Sequence, residues 1–481
     1  MWKIDENTGV PAPLERARLI GYTQRMINPR NPAEAAKLIE GDVAPLLIRL
    51  TIPMVFGVLS MVIYNLVDTF FVGRLGADQL AALSFTFPVV LVIGSLSMGL
   101  GMGASATVSR AIGEGDSYRV RRLTTDSLVL ALLVVGVAAV AGLFTIEPLF
   151  RALGAGETTL PYIKQYMEIW YPGMVFVVVP MVGNNCIRAT GDTKTPGIVM
   201  IIGAGANAVL DPILIFGLGP VPALGIQGAA LATLLGRSIT FFVAVYVLAV
   251  RERLITVRFD RIADVLASWR AVLFIGLPTA ATRMIIPIGA GFVTRLISGY
   301  GPEAVAGYGV ATRLEFFALA VVNALASVIG PFIGQNLGAG KLDRVRAGFV
   351  TGERICLVVG AFFFVVFLAL ARPIASVFSP VESIISVTTM YLRIVGFAYM
   401  LQGIYLIAVP ALNVLRKPLL AAGLGIVEMF VLVLPLALVG STLLGVPGIF
   451  IGIALGYVAT GIASSFVFRR ALRDTVGSAL V

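Results

Sequence analysis

Long apolar runs alternate with short polar connections along most of the chain. A helix needs roughly 20 apolar residues to cross the hydrocarbon of a bilayer, and the pattern contains twelve such runs. The first six are expected near residues 46–72, 82–109, 124–146, 162–187, 196–218 and 225–250. The second six are expected near residues 271–297, 305–334, 350–376, 387–414, 418–440 and 448–468. The pattern predicts an all-α integral membrane protein with twelve transmembrane helices.

Composition strengthens this prediction. Hydrophobic residues occupy 58% of the 481 positions and charged residues only 13%, whereas soluble domains carry roughly a quarter of charged residues. The first 44 residues are polar and lack the apolar core of a signal peptide, so we expect a cytoplasmic arm that lies on the membrane surface. A disulfide between Cys186 and Cys356 is not expected, because both lie in apolar surroundings. The chain has no histidine, which excludes a histidine-ligated metal site and a histidine proton relay.

The distribution of basic residues predicts the orientation in the membrane. Arginine and lysine are concentrated in alternate connections, which follow the second, fourth, sixth, eighth, tenth and last spans. Connections rich in positive charge stay in the cytoplasm. We therefore expect a multi-pass protein of the inner cell membrane with both termini in the cytoplasm. The net charge of +10 reflects this topology, and nucleic acid is not an expected partner.

The two halves of the chain repeat each other at a shift of 225 residues. Gly113 falls on Gly338, and Tyr166 falls on Tyr391. Six spans separate the copies, so both insert in the same orientation, and such parallel repeats are typical of transporters with a substrate path between two bundles. The expected organisation is an N-terminal arm (1–44), an N-lobe (45–250), a cytoplasmic linker (251–270), a C-lobe (271–468) and a cytoplasmic tail (469–481).

Two carboxylates lie in apolar runs, where lipid makes a charge costly. Asp68 ends a charge-free run that begins at residue 50, and Asp211 ends one that begins at residue 195. Acids in such positions normally face the protein interior or a wet cavity. The polar residues expected to accompany them are Tyr64 and Asn65 on the first span, Asn207 on the fifth and Thr233 on the sixth. Asp68, Asn207, Asp211 and Thr233 could form an oxygen cage for Na⁺, or the acids could hold a proton. The alternative is that buried arginines neutralise both acids.

The remaining charges inside predicted spans are harder to assign. Arg237, one turn after Thr233, is expected either to pair with one of the acids or to extend towards the membrane surface. The second half has Val293 where the first has Asp68. Its own charged candidates are Arg283, Arg313, Glu315 and Glu428. Structural ion pairs are the expected role of Arg313 and Glu315. Glu428 has no basic residue within a turn, so it is a candidate for a second cation or substrate site.

Pro53 is the candidate hinge of the first span. Proline removes a backbone hydrogen-bond donor and favours a kink, and Pro53 lies more than two turns before Tyr64. Protonation of Asp68 is expected to let the first span bend at Pro53 and narrow the N-lobe cavity.

Several stretches together resemble the multidrug and toxic compound extrusion (MATE) family, over residues 40–470. They are Ile52-Pro53, Tyr64-Asn65-Leu-Val-Asp68-Thr-Phe-Phe-Val-Gly73, Arg188-Ala-Thr-Gly-Asp-Thr-Lys-Thr-Pro196, Asn207-Ala-Val-Leu-Asp211-Pro212, Gly228-Ala-Ala-Leu-Ala-Thr233 and Arg313-Leu-Glu315. The resemblance implies a V-shaped monomer of two pseudo-symmetric six-helix bundles that exports organic compounds by alternating access, driven by influx of H⁺ or Na⁺. It is similar to the branch whose coupling acids lie in the N-lobe. The branch with acids on the seventh and tenth spans matches poorly, because Arg283 occupies the seventh span here.

Two other functions, and one other fold, compete with cation-driven export of amphipathic or cationic compounds. A flippase for lipid-linked precursors would use a cationic cavity, for which Arg237, Arg283 and Arg313 are candidates. An intramembrane enzyme is disfavoured, because the sequence has neither a metal-ligand cluster nor a nucleophile with its base. The general twelve-span facilitator plan lacks its usual loop signature here. The expected partners are small organic substrates and membrane lipids, with no cofactor besides the coupling H⁺ or Na⁺.

Overall fold

The computed structural model describes residues 37–218, 221–256 and 261–477, and these residues form helices and connections without a strand. Eleven helices are long and apolar enough to cross a membrane, or twelve if one bent pair counts as a span. The spans of the first half are Val43–Gly73, Ala77–Gly113, Ser117–Ala152, Leu160–Gly173 with Val175–Ala189, Lys194–Phe216, and Ile226–Tyr246 with Val247–Arg251. Those of the second half are Ile262–Ser298, Pro302–Gly338, Leu342–Phe378, Glu382–Val395 with Tyr399–Val414, Pro418–Ile426 with Val427–Val433 and Leu434–Leu444, and Val446–Gly477. The predicted all-α membrane fold is confirmed.

The fourth span differs from the single helix expected near residues 162–187. It consists of two helices that meet at Met174 with a bend of 42°. Pro172 lies just before the break and cannot donate a backbone hydrogen bond, so the helix loses a bond at this point.

Pro53 and Pro212 do not break their helices. The first span continues through Pro53 from Val43 to Gly73, and the fifth continues through Pro212 to Phe216. Neighbouring helices pack closely around the first proline, where the backbone of Gly197 lies against the Pro53 carbonyl. In this conformation Pro53 is therefore a packing position of a continuous helix, and its role as a hinge stays a prediction.

The helices extend beyond the apolar runs at several ends. The seventh span begins at Ile262, inside the expected linker, and the last span continues through Gly477 into the expected tail. Backbone hydrogen bonding does not stop where apolar residues end, so a helix can project past the hydrocarbon. Residues 1–36 of the predicted N-terminal arm lie outside the described residues.

Two hydrophobic cores organise the molecule, one mainly in each half. Residues from the second to the sixth spans dominate one core, and residues from the seventh to the twelfth dominate the other. The first span also contributes to the second-half core, through Leu47, Leu50 and Met54 near its start. It packs against both the fifth and the eighth spans. The first span therefore connects the two halves.

Repeat-related residues meet directly where the second and eighth spans end. A Cβ atom built on Gly338 would lie 2.2 Å from the carbonyl oxygen of Arg110 and 3.0 Å from the Cα of Gly113. A Cβ on Gly113 would lie 2.1 Å from the carbonyl oxygen of Gln335. Since Gly113 and Gly338 are equivalent in the repeat, their contact marks the pseudo-symmetry axis. Only glycine lets the two backbones approach this closely.

A short N-terminal segment, residues 38–41, lies in the junction between the halves. Gln335 accepts a hydrogen bond from the Leu38 backbone N–H at 3.2 Å and donates to the Ala189 carbonyl at 2.7 Å. Arg344 donates to the Gly41 carbonyl at 2.7 Å. Leu38 is only 1% exposed. The eighth span thus holds this segment against the end of the fourth span.

Candidate functional site

The first and sixth spans bring Tyr64, Thr233 and Arg237 together. The hydroxyl oxygens of Tyr64 and Thr233 lie 3.3 Å apart, within hydrogen-bond distance. The guanidinium carbon of Arg237 lies 5.0 Å from the centre of the Tyr64 ring, in the geometry of a cation–π contact. Thr233 and Arg237 are one turn apart on one helix face, which lets both reach Tyr64.

The fifth span presents an amide–carboxyl pair to the interior. The Asn207 side-chain nitrogen donates a hydrogen bond to Asp211 Oδ1 at 3.2 Å, across one helical turn. Both side chains are almost completely buried. The other oxygens of the pair, Asn207 Oδ1 and Asp211 Oδ2, have no hydrogen-bond partner. Buried polar atoms are rarely left unpaired, so this pair is suited to bind a further atom.

Asp68 completes the cluster on the first span. It is half-buried, and its Oδ1 atom is buried without a hydrogen-bond partner. It lies near enough to Arg237 and to Asp211 for their charges to interact. The side chain of Asn65 is outside the described residues, so its predicted place beside Asp68 stays a prediction. Arg237 was expected either to pair with an acid or to extend towards the membrane surface. Its contact with Tyr64 and its proximity to Asp68 favour a position beside the acids.

Tyr166 belongs to the same cluster, although the sequence analysis did not select it as a site residue. It is buried in the fourth span and lies near Asp68, Asp211 and Tyr64. The internal repeat could have indicated Tyr166 as a site residue, because it aligns with Tyr391 at the 225-residue shift. In the second half, Tyr391 contacts a half-buried acid.

That acid is Glu315, and the ion pair expected for it is not formed within the described part of the chain. Three tyrosine hydroxyls donate to its carboxylate instead. Tyr457 donates to Oε1 at 3.2 Å, and Tyr391 and Tyr399 donate to Oε2, the latter at 3.5 Å. Arg313 is exposed two residues earlier. Residues two apart point in different directions on a helix, and neighbouring spans supply hydroxyl donors at the position of Glu315.

Glu428 and Arg283 occupy a second polar region of the same half. Glu428 accepts a hydrogen bond from the Gln402 side-chain nitrogen at 2.8 Å, between the eleventh and tenth spans. Arg283 lies near Tyr405. Its side chain is exposed. The second half thus has its own acids, but no aspartate equivalent to Asp68.

A buried ion-pair network fixes the fifth span against the end of the sixth. Arg251 pairs with Asp192 and donates to the Thr195 hydroxyl at 2.8 Å and to Glu252 at 2.9 Å. Asp192 also accepts a bond from the Thr195 backbone N–H at 3.1 Å. The network therefore helps to position the helix that carries Asn207 and Asp211 beside the helix that carries Thr233.

The network predicts a stability that depends on pH. Burial acts to raise the pKa of Asp192, but Arg251 and the bonds from Thr195 hold it below its ordinary value of 3.8. A carboxyl with a depressed folded pKa stabilises the fold above its unfolded pKa and loses this contribution as pH falls through its folded pKa. We expect the thermal-unfolding midpoint of solubilised protein to fall between about pH 6 and about pH 3, and to fall less for Asp192→Asn. The exposed acid Asp343 provides a control, because Asp343→Asn should retain the wild-type dependence; equal slopes for all three proteins would contradict the prediction.

Comparison with known proteins agrees with the fold. A family model described as MatE matches residues 53–213 and 278–439, once in each half. The FAD transporter of Shewanella oneidensis is 35% identical over 433 residues, which cover 90% of this chain and 96% of that protein. The multidrug export protein MepA of Staphylococcus haemolyticus is 26% identical over 76% of this chain and 80% of that protein.

Solved structures give the same result. The Vibrio cholerae MATE transporter VcmN in its bent form has a TM-score of 0.85 and 30% identity, covering 90% of this chain and 98% of that one. An outward-facing MATE multidrug resistance transporter has a TM-score of 0.85 and 26% identity, covering 92% and 99%. On these matches, which extend over both halves and most of the chain, the protein belongs to the MATE family of multi-pass membrane transporters.

Proposed function

We propose that the protein is a cation-coupled antiporter that exports small organic compounds by alternating access, with coupling in the first-half cluster. The observation that carries this proposal is the buried Asn207–Asp211 pair with its two unpartnered oxygens, close to Asp68. Two neighbouring carboxylates in a low-dielectric interior repel each other, and binding of a cation relieves the repulsion. Tyr64 and Thr233 supply further oxygens at the same place.

The cluster connects cation binding to conformation through the first span. That span carries Tyr64 and Asp68, and it also packs against the eighth span of the second half. A ligand can shift an equilibrium between two conformations only if it binds one of them more tightly. Neutralising Asp68 and Asp211 changes the contacts of the first span, which favours one arrangement of the halves. H⁺ and Na⁺ are both candidates, and both termini are proposed to lie in the cytoplasm.

Efflux from proteoliposomes tests this proposal. Wild-type protein should export substrate when a pH gradient or a Na⁺ gradient is imposed separately, and the gradient that works identifies the coupling ion. In Asp68→Asn and Asp211→Asn, the gradient-driven rate should fall by roughly 5- to 150-fold, because coupling free energies of 1–3 kcal/mol correspond to such factors. Asp343→Asn, which removes an exposed acid, should export like wild type. Wild-type rates in both cluster variants would exclude coupling at this site.

Two classes of substrate are candidates. Relatives named as multidrug export proteins and the carboxylates of the cluster favour amphipathic cations. The 35% identity to a protein named FAD transporter and the accessible guanidinium of Arg283 favour an anionic dinucleotide with an aromatic ring. A cationic dye and FAD, each enclosed in the same proteoliposomes, separate the two candidates.

A further inference from the structure

The second half contains a buried acid that the proposed coupling site does not use. Glu428 is only 6% exposed and Gln402 only 7%. The Gln402 side-chain nitrogen donates to Glu428 Oε1 at 2.8 Å. The two remaining oxygens, Glu428 Oε2 and Gln402 Oε1, are buried and have no hydrogen-bond partner. Each of them is an acceptor that lacks a donor.

Within the described ranges, no basic side chain forms an ion pair with Glu428. The ionisable groups near it are Glu315 on the eighth span, Tyr405 on the tenth and Tyr457 on the twelfth. Arg283 on the seventh span lies near Tyr405, and Tyr405 also lies near Glu428. Among the described residues, none of these groups hydrogen-bonds to Glu428 Oε2. An ionised carboxylate left in this state would be expensive.

One added proton would give both unpartnered oxygens a hydrogen bond. A carboxylic acid and a primary amide form a closed ring of two hydrogen bonds, in which the amide N–H donates to one carboxyl oxygen and the carboxyl O–H donates to the amide oxygen. The first bond is present between Gln402 and Glu428. A proton on Glu428 Oε2 would provide the missing donor and would satisfy both orphaned oxygens at once.

Asn207 and Asp211 show the same pattern in the first half, with one amide-to-carboxyl bond and two unpartnered oxygens. The eleventh span is the repeat counterpart of the fifth, so the acid of each pair lies on the equivalent span, whereas the amide Asn207 lies on the fifth span and Gln402 on the tenth. The registers differ, because Glu428 lies six residues before Leu434, the position that corresponds to Asp211.

We propose that Glu428 and Gln402 form a second proton-binding site, in the second half of the molecule and separate from the first-half cluster. Glu428 lies in the π-helical segment Val427–Val433, and such segments occur frequently at functional sites. Its acid lies on the eleventh span, whereas the acids of the other MATE branch lie on the seventh and tenth spans. Its contribution to transport rests on the proposed function, whereas proton binding itself does not.

Infrared difference spectroscopy of purified protein in nanodiscs tests proton binding directly. At about pH 7, exposed carboxyls are ionised, so bands of protonated carboxylic acids come from buried groups. At this pH, wild type should show one such band that is absent from Glu428→Gln. Glutamine closely matches a protonated glutamate in shape, so this variant should fold. In Gln402→Met the band should remain but shift, because its hydrogen-bond partner is gone.

Control variants and transport complete the test. Glu303→Gln removes an exposed acid at the start of the eighth span and should leave the band unchanged. In proteoliposomes driven by a pH gradient, Glu428→Gln should lower the number of protons moved per substrate by one. A spectrum in which Glu428→Gln deletes no protonated band overturns this inference, even if Asp68→Asn and Asp211→Asn abolish export. Conversely, a Glu428 band in a protein whose cluster variants export normally would leave this site intact and overturn the proposed coupling site.

Discussion

Replacing Gly338 by valine is expected to force the two halves apart where the second and eighth spans end. A Cβ at this position would lie 2.2 Å from the Arg110 carbonyl oxygen and 2.9 Å from the Glu114 nitrogen, both backbone atoms that cannot rotate away. Overpacking of this kind costs about 1–3 kcal/mol. It should shift the equilibrium between conformations with this junction closed and open by roughly 5- to 150-fold.

Distances between spin labels would detect the shift. Labels on Ser117→Cys and Lys341→Cys, which lie just after the second and eighth spans, should report a larger separation in Gly338→Val than in the parent. The native cysteines, Cys186 and Cys356, are both buried and free, which limits background labelling. Gly309→Val is the matched control, because nothing lies within 4 Å of a Cβ on Gly309 in the same helix. An unchanged distance in Gly338→Val would mean that the junction adapts without opening.

Replacing Arg251 by methionine is expected to cause the largest loss of stability among the charge substitutions considered. Arg251 is 3% exposed and contacts Asp192, Glu252 and Thr195. Removing one partner of a buried ion pair leaves an uncompensated charge and costs about 3–5 kcal/mol. The loss should loosen the fifth span, so efflux should fall together with the thermal-unfolding midpoint.

An exposed ion pair gives the comparison for Arg251. Arg372 pairs with Glu382 at 2.9 Å, with more than half of both side chains accessible. Pairs of this kind contribute about 0–1 kcal/mol, so Arg372→Met should hardly move the midpoint. The double variant Arg251→Met/Asp192→Asn should recover part of the stability lost in Arg251→Met, since it removes one of the stranded charges. Equal losses for Arg251→Met and Arg372→Met would contradict a stabilising role of the buried network.

The pattern of apolar runs, and the high free energy of a charged side chain inside the bilayer, predicted much of the fold and part of the candidate site. The number of spans follows from the length of the apolar runs. Asp68 and Asp211 are candidates because an acid in such a run normally faces the protein interior or a wet cavity. The partners of Glu315 could not be predicted, because three tyrosines on the tenth and twelfth spans are neutral and carry no signal of charge pairing. The bend at Met174 was missed because Pro172 lies inside an apolar run that is long enough for a straight helix. The buried position of Leu38 depends on hydrogen bonds to residues about 300 positions away, which no local pattern records.

The contact on the pseudo-symmetry axis limits which residues a dimer of two identical halves could carry at this position. Ser109 and Gly334 are equivalent at the 225-residue shift, and they face each other beside Gly113 and Gly338. A Cβ on Gly334 would lie 2.0 Å from the Ser109 hydroxyl oxygen and 2.7 Å from its Cβ. Two identical subunits would carry the same residue on both sides, and serine on both sides would not fit at this distance. Joining the halves in one chain lets one side keep a hydroxyl while the other stays glycine, so fusion of the repeats permits chemical asymmetry at the position where symmetry is most restrictive.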